Sequence, residues 1–354
     1  MELSFWEQSL PFEYPFTISN GRTKTHQHSL MLRLSLGHWE GFGEAPAIVY
    51  YNVTVEGMME QLEKNRKLIE KFALTDPERF WHFLHHLFPN DPFLVCALDM
   101  AGWDLWGQMK KEPLHKLWGT EWNITGNEIH NTPPICDYTL GIDSIEKMVQ
   151  KMEAHPWPIY KVKVGTEYDI EMITALREHT QVPIRVDANA GWTTEEALQK
   201  IPALKALGVE LVEQPLAKDN WDGMEQLKNQ KSLPLFADES CVLEKDVAVC
   251  ANYFDGINIK LTKCSGLTPA LRMIKEARTL GLQVMMGSMN ESVIGSAAIA
   301  QFLPQLDYVD MDGPLLMTEL NGVGLNYSFE NENGKIEPLR HYGLGVQYRS
   351  PFAK

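Results

Sequence analysis

The chain has 354 residues, 44% hydrophobic and 22% charged, which suits about two domains or one large barrel and is too apolar for disorder to dominate. A formal charge of −15 without a local basic run excludes nucleic acid and anionic membrane surfaces as expected partners. Five scattered cysteines without a CxxC pair exclude a disulfide framework and a zinc knuckle; with no signal-like start and no 18-residue apolar run, a cytoplasmic protein with reduced thiols is expected.

Residues 30–37 (LMLRLSLG) alternate, and HWEGFGEAP follows, which predicts an antiparallel hairpin with its turning at Gly41 and Gly43. Thr54 to Lys71 has the period of an amphipathic helix. Asp76-Pro77 opens a second helix and Asp91-Pro92 a third, in which Leu94, Leu98, Ala101, Leu105 and Met109 recur every three or four residues. Strands followed by helices make residues 1–125 an α+β unit.

From Pro134 short β-rich runs alternate with helical ones: ICDYTL, PIYKVKV, PIRVDA, VELVEQ, PLFADE, GINIKL, QVMMGS and DYVDMD. The polar residues ending the last seven, Lys163, Asp187, Glu213, Asp238, Lys260, Ser288 and Asp310, recur about every 25 residues, the length of one βα unit. Eight such strands predict a TIM-type barrel over 126–318, with functional groups at the C-terminal strand ends. A doubly wound open sheet competes, but no glycine-rich loop follows the first strand, and polar residues end most strands instead of gathering at one switch point. The segment 319–354 loses the period and is expected to pack back on the N-terminal unit.

Charges buried in a barrel are costly unless they are paired or bind a metal. Asp187, Glu213 and Asp238 on neighbouring strands bring three carboxylates to one point, and hard oxygen ligands without Cys or His suit Mg²⁺ or Mn²⁺. Helix capping or pairing with lysine explains any one of these acids; three at one strand position on consecutive units favour a metal. Lys163 and Lys260 end strands four apart in a ring of eight, so they flank the acids from opposite sides. Two bases facing one carbon interconvert its configurations, one removing a proton and the other returning it, while a metal on the adjacent carboxylate stabilises the enediolate. Lys161, on the same strand face as Lys163, is expected to lower its neighbour's pKa and to bond the substrate carboxylate. Asp310 and Asp312, spaced by two and away from the metal acids in the ring, are expected to attract a cation such as a free amino group. Asp312 precedes the Gly313-Pro314 turn and also reads as a solvated loop acid. His82, His85 and His86 share helical spacing without a supporting carboxylate and read as surface or packing residues.

These residues, together with GFGEAP, ALDMAGWDLWGQ, PLHKLWG, KVKVG, RVDANAGW, VEQPL, ADES, INIKLTKCSGL and MMGSMNES in that order, resemble the muconate lactonizing enzyme subgroup of the enolase superfamily, and within it the dipeptide epimerases. The resemblance covers nearly the whole chain. It implies an α+β capping domain on a (β/α)7β modified TIM barrel, one Mg²⁺ per subunit, and removal of a proton α to a carboxylate. It also implies that the DMD of Asp310 and Asp312 holds a dipeptide's α-ammonium and that Thr139 contacts substrate. Lys163 and Lys260 would then exchange the proton on the α-carbon of the C-terminal residue, whose carboxylate sits on Mg²⁺. N-acylamino acid racemases and o-succinylbenzoate synthases, whose substrates lack that cation, are more distant alternatives, as is a non-catalytic metal-binding barrel. Members acting on Ala-Glu carry an arginine near residue 23. Here ISNGRTKTHQH places Arg22 one position off and Thr23 in register, so small or apolar dipeptides such as Ala-Ala are expected ahead of Ala-Glu. Asn290 and Glu291 are expected to shape the pocket in roles left unassigned, and a homo-oligomer is left open.

Overall fold

The structure, a computed structural model, describes residues 1–17, 23–121, 134–320, 322–328, 335–338, 341–348 and 351. Three antiparallel strands, β1 (Glu2–Thr17), β2 (Thr23–Leu36) and β3 (Trp39–Pro46), form an N-terminal sheet in that order. Sequence periodicity does not mark β1, because Pro11 and Pro15 interrupt it. The strand is at the sheet edge, where proline is tolerated, and its pairing slips between Pro11 and Phe16.

The β2–β3 turn lies at Gly37 and His38, with Gly37 at φ +64°, and not at Gly41 and Gly43 as the glycine pattern suggests. Those two glycines lie inside β3, where a Cβ would overlap the backbone carbonyls of Ala101 and Ala97. They let the strand press against a helix.

That helix belongs to a set of four: α1 (Val55–Lys71), α2 (Pro77–Leu87), α3 (Pro92–Lys110) and α4 (Leu114–Glu121). Thr54, Asp76 and Asp91 accept hydrogen bonds from the first turns of α1, α2 and α3, and proline opens the latter two, where its missing N–H costs nothing. α3 is buried on almost every side from Phe93 to Leu105, more than its apolar period suggests, because it is wedged between β3 and the barrel helices. On α2, His85 stacks on Trp81 with 4.9 Å between ring centroids, while His82 and His86 are exposed.

The barrel strands are β4 (Tyr138–Leu140), β5 (Tyr160–Lys163), β6 (Ile184–Asp187), β7 (Val209–Glu213), β8 (Leu235–Ala237), β9 (Gly256–Ile259), β10 (Gln283–Gly287) and β11 (Tyr308–Asp310). They pair in parallel, each with its sequence neighbours, and a parallel bridge between Cys136 and Val309 joins the ends of the ring. Between them run α5 (Ile145–Ala154), α6 (Asp169–His179), α7 (Thr194–Ala206), α8 (Trp221–Gln230), α9 (Glu244–Cys250), α10 (Leu261–Cys264) with α11 (Leu267–Thr279), and α12 (Val293–Ala300). Among the described residues no α-helix follows β11, only a short turn of 3-10 helix at Gly313–Leu315 and short antiparallel strands outside the barrel sheet, so the architecture is (β/α)7β. Leu211, Phe236 and Met285 pack with Tyr308. Towards the C-terminus, Leu344 N donates to Asp104 of α3 and Tyr348 packs against Trp6 and Phe42. The boundary drawn at residues 125 and 126 lies outside the described residues. Among those described, no helix is long and apolar enough to cross a membrane, and all five cysteines are buried and free.

Candidate active site

Side chains two apart on a strand share a face, so each barrel strand sends alternate residues inward. β6, β7 and the end of β8 thereby converge Asp187, Glu213 and Asp238, whose carboxylate oxygens lie within 4.8 Å of one another and whose side chains are buried. β5 and β9 flank those three strands. From β5, Lys163 Nζ donates to Asp187 Oδ2 at 2.6 Å; from the end of β9, Lys260 Nζ donates to Asp238 Oδ2 at 2.8 Å. The two lysines thus meet the acidic trio from opposite sides.

Lys161 lies deeper, and its Nζ is 2.7 Å from Asp310 Oδ2, 2.9 Å from Glu213 Oε2 and 3.2 Å from Asp187 Oδ2. One ammonium therefore ties Asp310, at the end of β11, to the trio, although strand spacing alone sets the two apart. Asp312 is buried, not a solvated loop acid, and its Oδ2 accepts from Thr139 N at 2.6 Å.

Burial opposes every charge in this cluster, so the direction of each pKa shift reports which partners win. Desolvation would raise Asp187, yet Lys163 and then Lys161 outweigh it and hold the carboxyl well below the usual range. Asp238 is likewise held down, against its burial, by Lys260 and Lys263. Glu213 goes the other way: burial, then Asp187, push it up in spite of Lys161. Desolvation works against Lys161 and Lys260, but Asp310 with Glu213, and Asp238 with Glu213, keep the two ammoniums above the ordinary lysine value. Lys161 holds Asp310 down against its burial, whereas Asp312, buried beside Asp310, is pushed up to about 7.

A cavity of about 350 Å³ opens between the barrel mouth and the N-terminal sheet. Thr139, Lys163, Asn189, Lys260, Asp310 and Asp312 line its barrel side, with Ser288, Met289 and Asn290 after β10. Phe16, Thr23, Lys24, Ile48, Val49 and Tyr50 line the other. Lys161 is not part of the lining, and Arg22 lies outside the described residues. Glu291 is buried just behind, where desolvation and Glu44 push it up to about 7. A larger hollow of about 700 Å³ at Arg177, Leu207 and Glu210 gathers no comparable set of catalytic groups.

Three residues of this site were not singled out from sequence. Lys263 Nζ donates to Asp238 O at 2.7 Å and also to its Oδ1; Asn189 N donates to Asp187 Oδ1 at 2.9 Å; Asn258 Nδ2 donates to Glu213 Oε1 at 2.7 Å. Asn258 carried a usable signal, being two residues before Lys260 and so on its inward face.

The donor set fits a hard divalent cation. Three carboxylates converge without sulfur or imidazole, and Glu213 Oε2 has no hydrogen bond, Lys161 Nζ being near it but out of alignment.

A capped (β/α)7β barrel with lysines and acids at its strand ends defines a class of protein, and residues 143–351 match the family model described as enolase C-terminal domain-like. The chain belongs to that family, the enolase superfamily. Among curated relatives it is similar to the L-Ala-D/L-amino acid epimerase of Flavobacterium johnsoniae, 47% identical over 339 residues that cover 94% of this chain and 98% of the relative. It is also similar to the L-Ala-D/L-Glu epimerase of Bacteroides thetaiotaomicron, 35% identical over 98% of this chain and 88% of the relative. In structure it resembles the dipeptide epimerase of Enterococcus faecalis V583 complexed with Mg and the dipeptide L-Leu-L-Tyr, with a TM-score of 0.88, 27% identity, and coverage of 98% of this chain and 99% of the other.

Proposed function

We propose that this protein is a Mg²⁺-dependent dipeptide epimerase, an isomerase that moves a proton between the two faces of the α-carbon of a dipeptide's C-terminal residue. The observation that carries this reading is the approach of Lys163 and Lys260 to one acidic trio from opposite sides within a single cavity. Asp187, Glu213 and Asp238 are the residues to hold the ion. When bound, Mg²⁺ supplies Lewis-acid charge beside a substrate carboxylate, which makes the adjacent C–H more acidic. One lysine, as the free amine, takes the α-proton on its side, and the other, as the ammonium, returns a proton on the opposite face; the roles exchange for the opposite epimer.

Asp310 and Asp312 set an anionic wall for the substrate's α-ammonium. Lys161 fixes Asp310 from below, and Thr139 holds Asp312 through its N–H. In this reading the cap (1–125) supplies the wall that meets the side chains, the barrel (126–318) supplies the chemistry, and the segment 319–354 fastens one to the other. Five free buried thiols support a reducing, cytoplasmic setting.

Phe16, Ile48, Val49, Tyr50 and Met289 make the pocket wall largely apolar, which supports small or apolar dipeptides such as Ala-Ala. Lys24 in the same wall favours a second reading, an L-Ala-D/L-Glu epimerase. Incubating the protein with Mg²⁺ and Ala-Ala, Ala-Leu or Ala-Glu in D₂O tests both. The expected result is deuterium at the C-terminal α-carbon with both epimers formed, fastest for the apolar pair. No exchange across the panel overturns the reading, and preference for Ala-Glu selects the second.

A further inference from the structure

The acidic trio is not held symmetrically. Asp187 and Asp238 each accept from lysine Nζ groups at the cavity. Glu213 has a further partner: Asn258 Nδ2 donates to its Oε1 at 2.7 Å, while its Oε2 lies 2.9 Å from Lys161 Nζ without an aligned hydrogen bond. A carboxylate only accepts, so the amide must present its NH₂ here, and the orientation of Asn258 follows from Glu213.

The amide is in turn fixed by what lies beside it. On β10, Gly287 has no side chain, and a Cβ built there would sit 2.7 Å from both Nδ2 and Oδ1 of Asn258. Any larger residue would push the amide out of place. Asn258 is fully buried, and its Oδ1 has no partner. A buried amide with one end unpaired is an expensive way to fill a barrel, since an apolar side chain carries no such desolvation cost. What the amide provides is direction, since bonding one oxygen of Glu213 leaves the other to face its neighbours in the trio.

We infer that Asn258, backed by Gly287, is a positioning residue that orients Glu213 for the divalent cation and thereby sets the affinity of the site for it. The inference rests on the reading above that the trio holds Mg²⁺. Outer partners of this kind commonly change metal affinity by roughly 10–100-fold. Asn258→Asp would place a second carboxylate against Oε1 and reverse the contact from attraction to repulsion. Asn258→Leu would keep the branched shape and remove the donor. Gly287→Ala would displace the amide while leaving Asn258 in the chain.

The test is the dissociation constant of Mn²⁺, read by electron paramagnetic resonance of the free ion, with Mg²⁺ confirmed by calorimetry. Thermal unfolding in EDTA reports whether each variant folds. The expected result is about 10-fold or more weaker binding in N258D and N258L, a smaller loss in G287A, and one cooperative unfolding transition in EDTA for each variant, which shows that it folds. Activity then returns towards the original kcat at saturating Mg²⁺, while the concentration of Mg²⁺ needed rises. If N258D does not fold, N258L and G287A give the same comparison. Unchanged ion affinity in the folded variants overturns the inference and leaves the trio's assignment intact. Failure of the unaltered protein to bind either ion overturns that assignment, and this inference with it.

Discussion

Each lysine of the pair can reach one face of a carbon held between them, so removing one should separate two events that the intact protein couples. In Lys260→Ala, Lys163 still meets one epimer: it can take the α-proton, exchange it with solvent and return it to the same face. The expected outcome is deuterium uptake from that epimer with retained configuration, while conversion to the other falls by roughly 10²–10⁴-fold, the usual contribution of a positioned base. Lys163→Ala should show the mirror preference. Proton NMR of each pure epimer in D₂O reads both quantities, and loss of exchange from both epimers in each variant would refute the division of labour. At this scale much of the site is legible in the sequence, because strand alternation and a regular repeat place Lys163, Asp187, Glu213, Asp238 and Lys260 at equivalent strand ends. Lys263 escapes that logic. It belongs to α10, one helical turn beyond the strand, and reaches Asp238 only because that turn folds back over the barrel mouth. The burial of Lys161 is equally invisible to periodicity, which reports the face a residue takes but not its depth.

Among elements, the junction of β3 with α12 links the N-terminal sheet to the cavity. Glu44 of β3 accepts from Ser292 N at 2.8 Å, from Ser292 Oγ at 2.6 Å and from Gly295 N at 3.1 Å, so a carboxylate from one unit satisfies the open amides at the start of a helix in the other. The loop just before that helix carries Ser288, Met289 and Asn290 into the cavity wall, and Asn290 is in the left-handed region at φ 63°. Glu44→Gln keeps the shape and loses the charge, and the new NH₂ group opposes the amides it faces. We expect KM for the dipeptide to rise several-fold with a smaller change in kcat, and stability to fall by about 1–3 kcal/mol. Steady-state kinetics and urea unfolding check this; an unaltered KM alongside lowered stability would mean that the contact holds the units together without shaping the pocket. The GFGEAP segment is conspicuous in the sequence, yet its glycines read as a turn. Their actual role, clearing space for α3, depends on a tertiary neighbour that local patterns do not contain, and β1 is hidden for a related reason, since its prolines are acceptable only at a sheet edge.

Across the whole molecule, three buried carboxylates fasten the parts together. Besides Glu44, Asp99 of α3 accepts from Thr268 N at 3.0 Å and Thr268 Oγ1 at 2.8 Å at the start of α11, and Asp104 accepts from Phe42 N at 2.9 Å and Leu344 N at 2.8 Å. Burial pushes all three upward, Asp99 to about 7 and Asp104 to about 6, because their hydrogen bonds only partly offset desolvation. The consequence for stability has a definite sign. A carboxyl whose folded pKa exceeds its unfolded value near 4 contributes most below that value, and the contribution is lost as pH rises through the folded pKa. For Asp99 the window runs from about pH 4 to about pH 7, and the loss is on the order of 4 kcal/mol. Asp187 and Asp238, held low by lysine, act oppositely: their stabilisation is present above the unfolded value and disappears as the solution is acidified. The overall pH profile mixes the two, so the informative quantity is a difference. Asn at position 99 preserves size and an acceptor oxygen but cannot ionise. Urea unfolding of the original protein and of Asp99→Asn at about pH 4.5, 6 and 8 should show the variant gaining on the original by a few kcal/mol across the series. Parallel stabilities at the three pH values would mean that the helix start at Thr268 already compensates the charge on Asp99, and that the join between cap and barrel does not respond to pH through this residue.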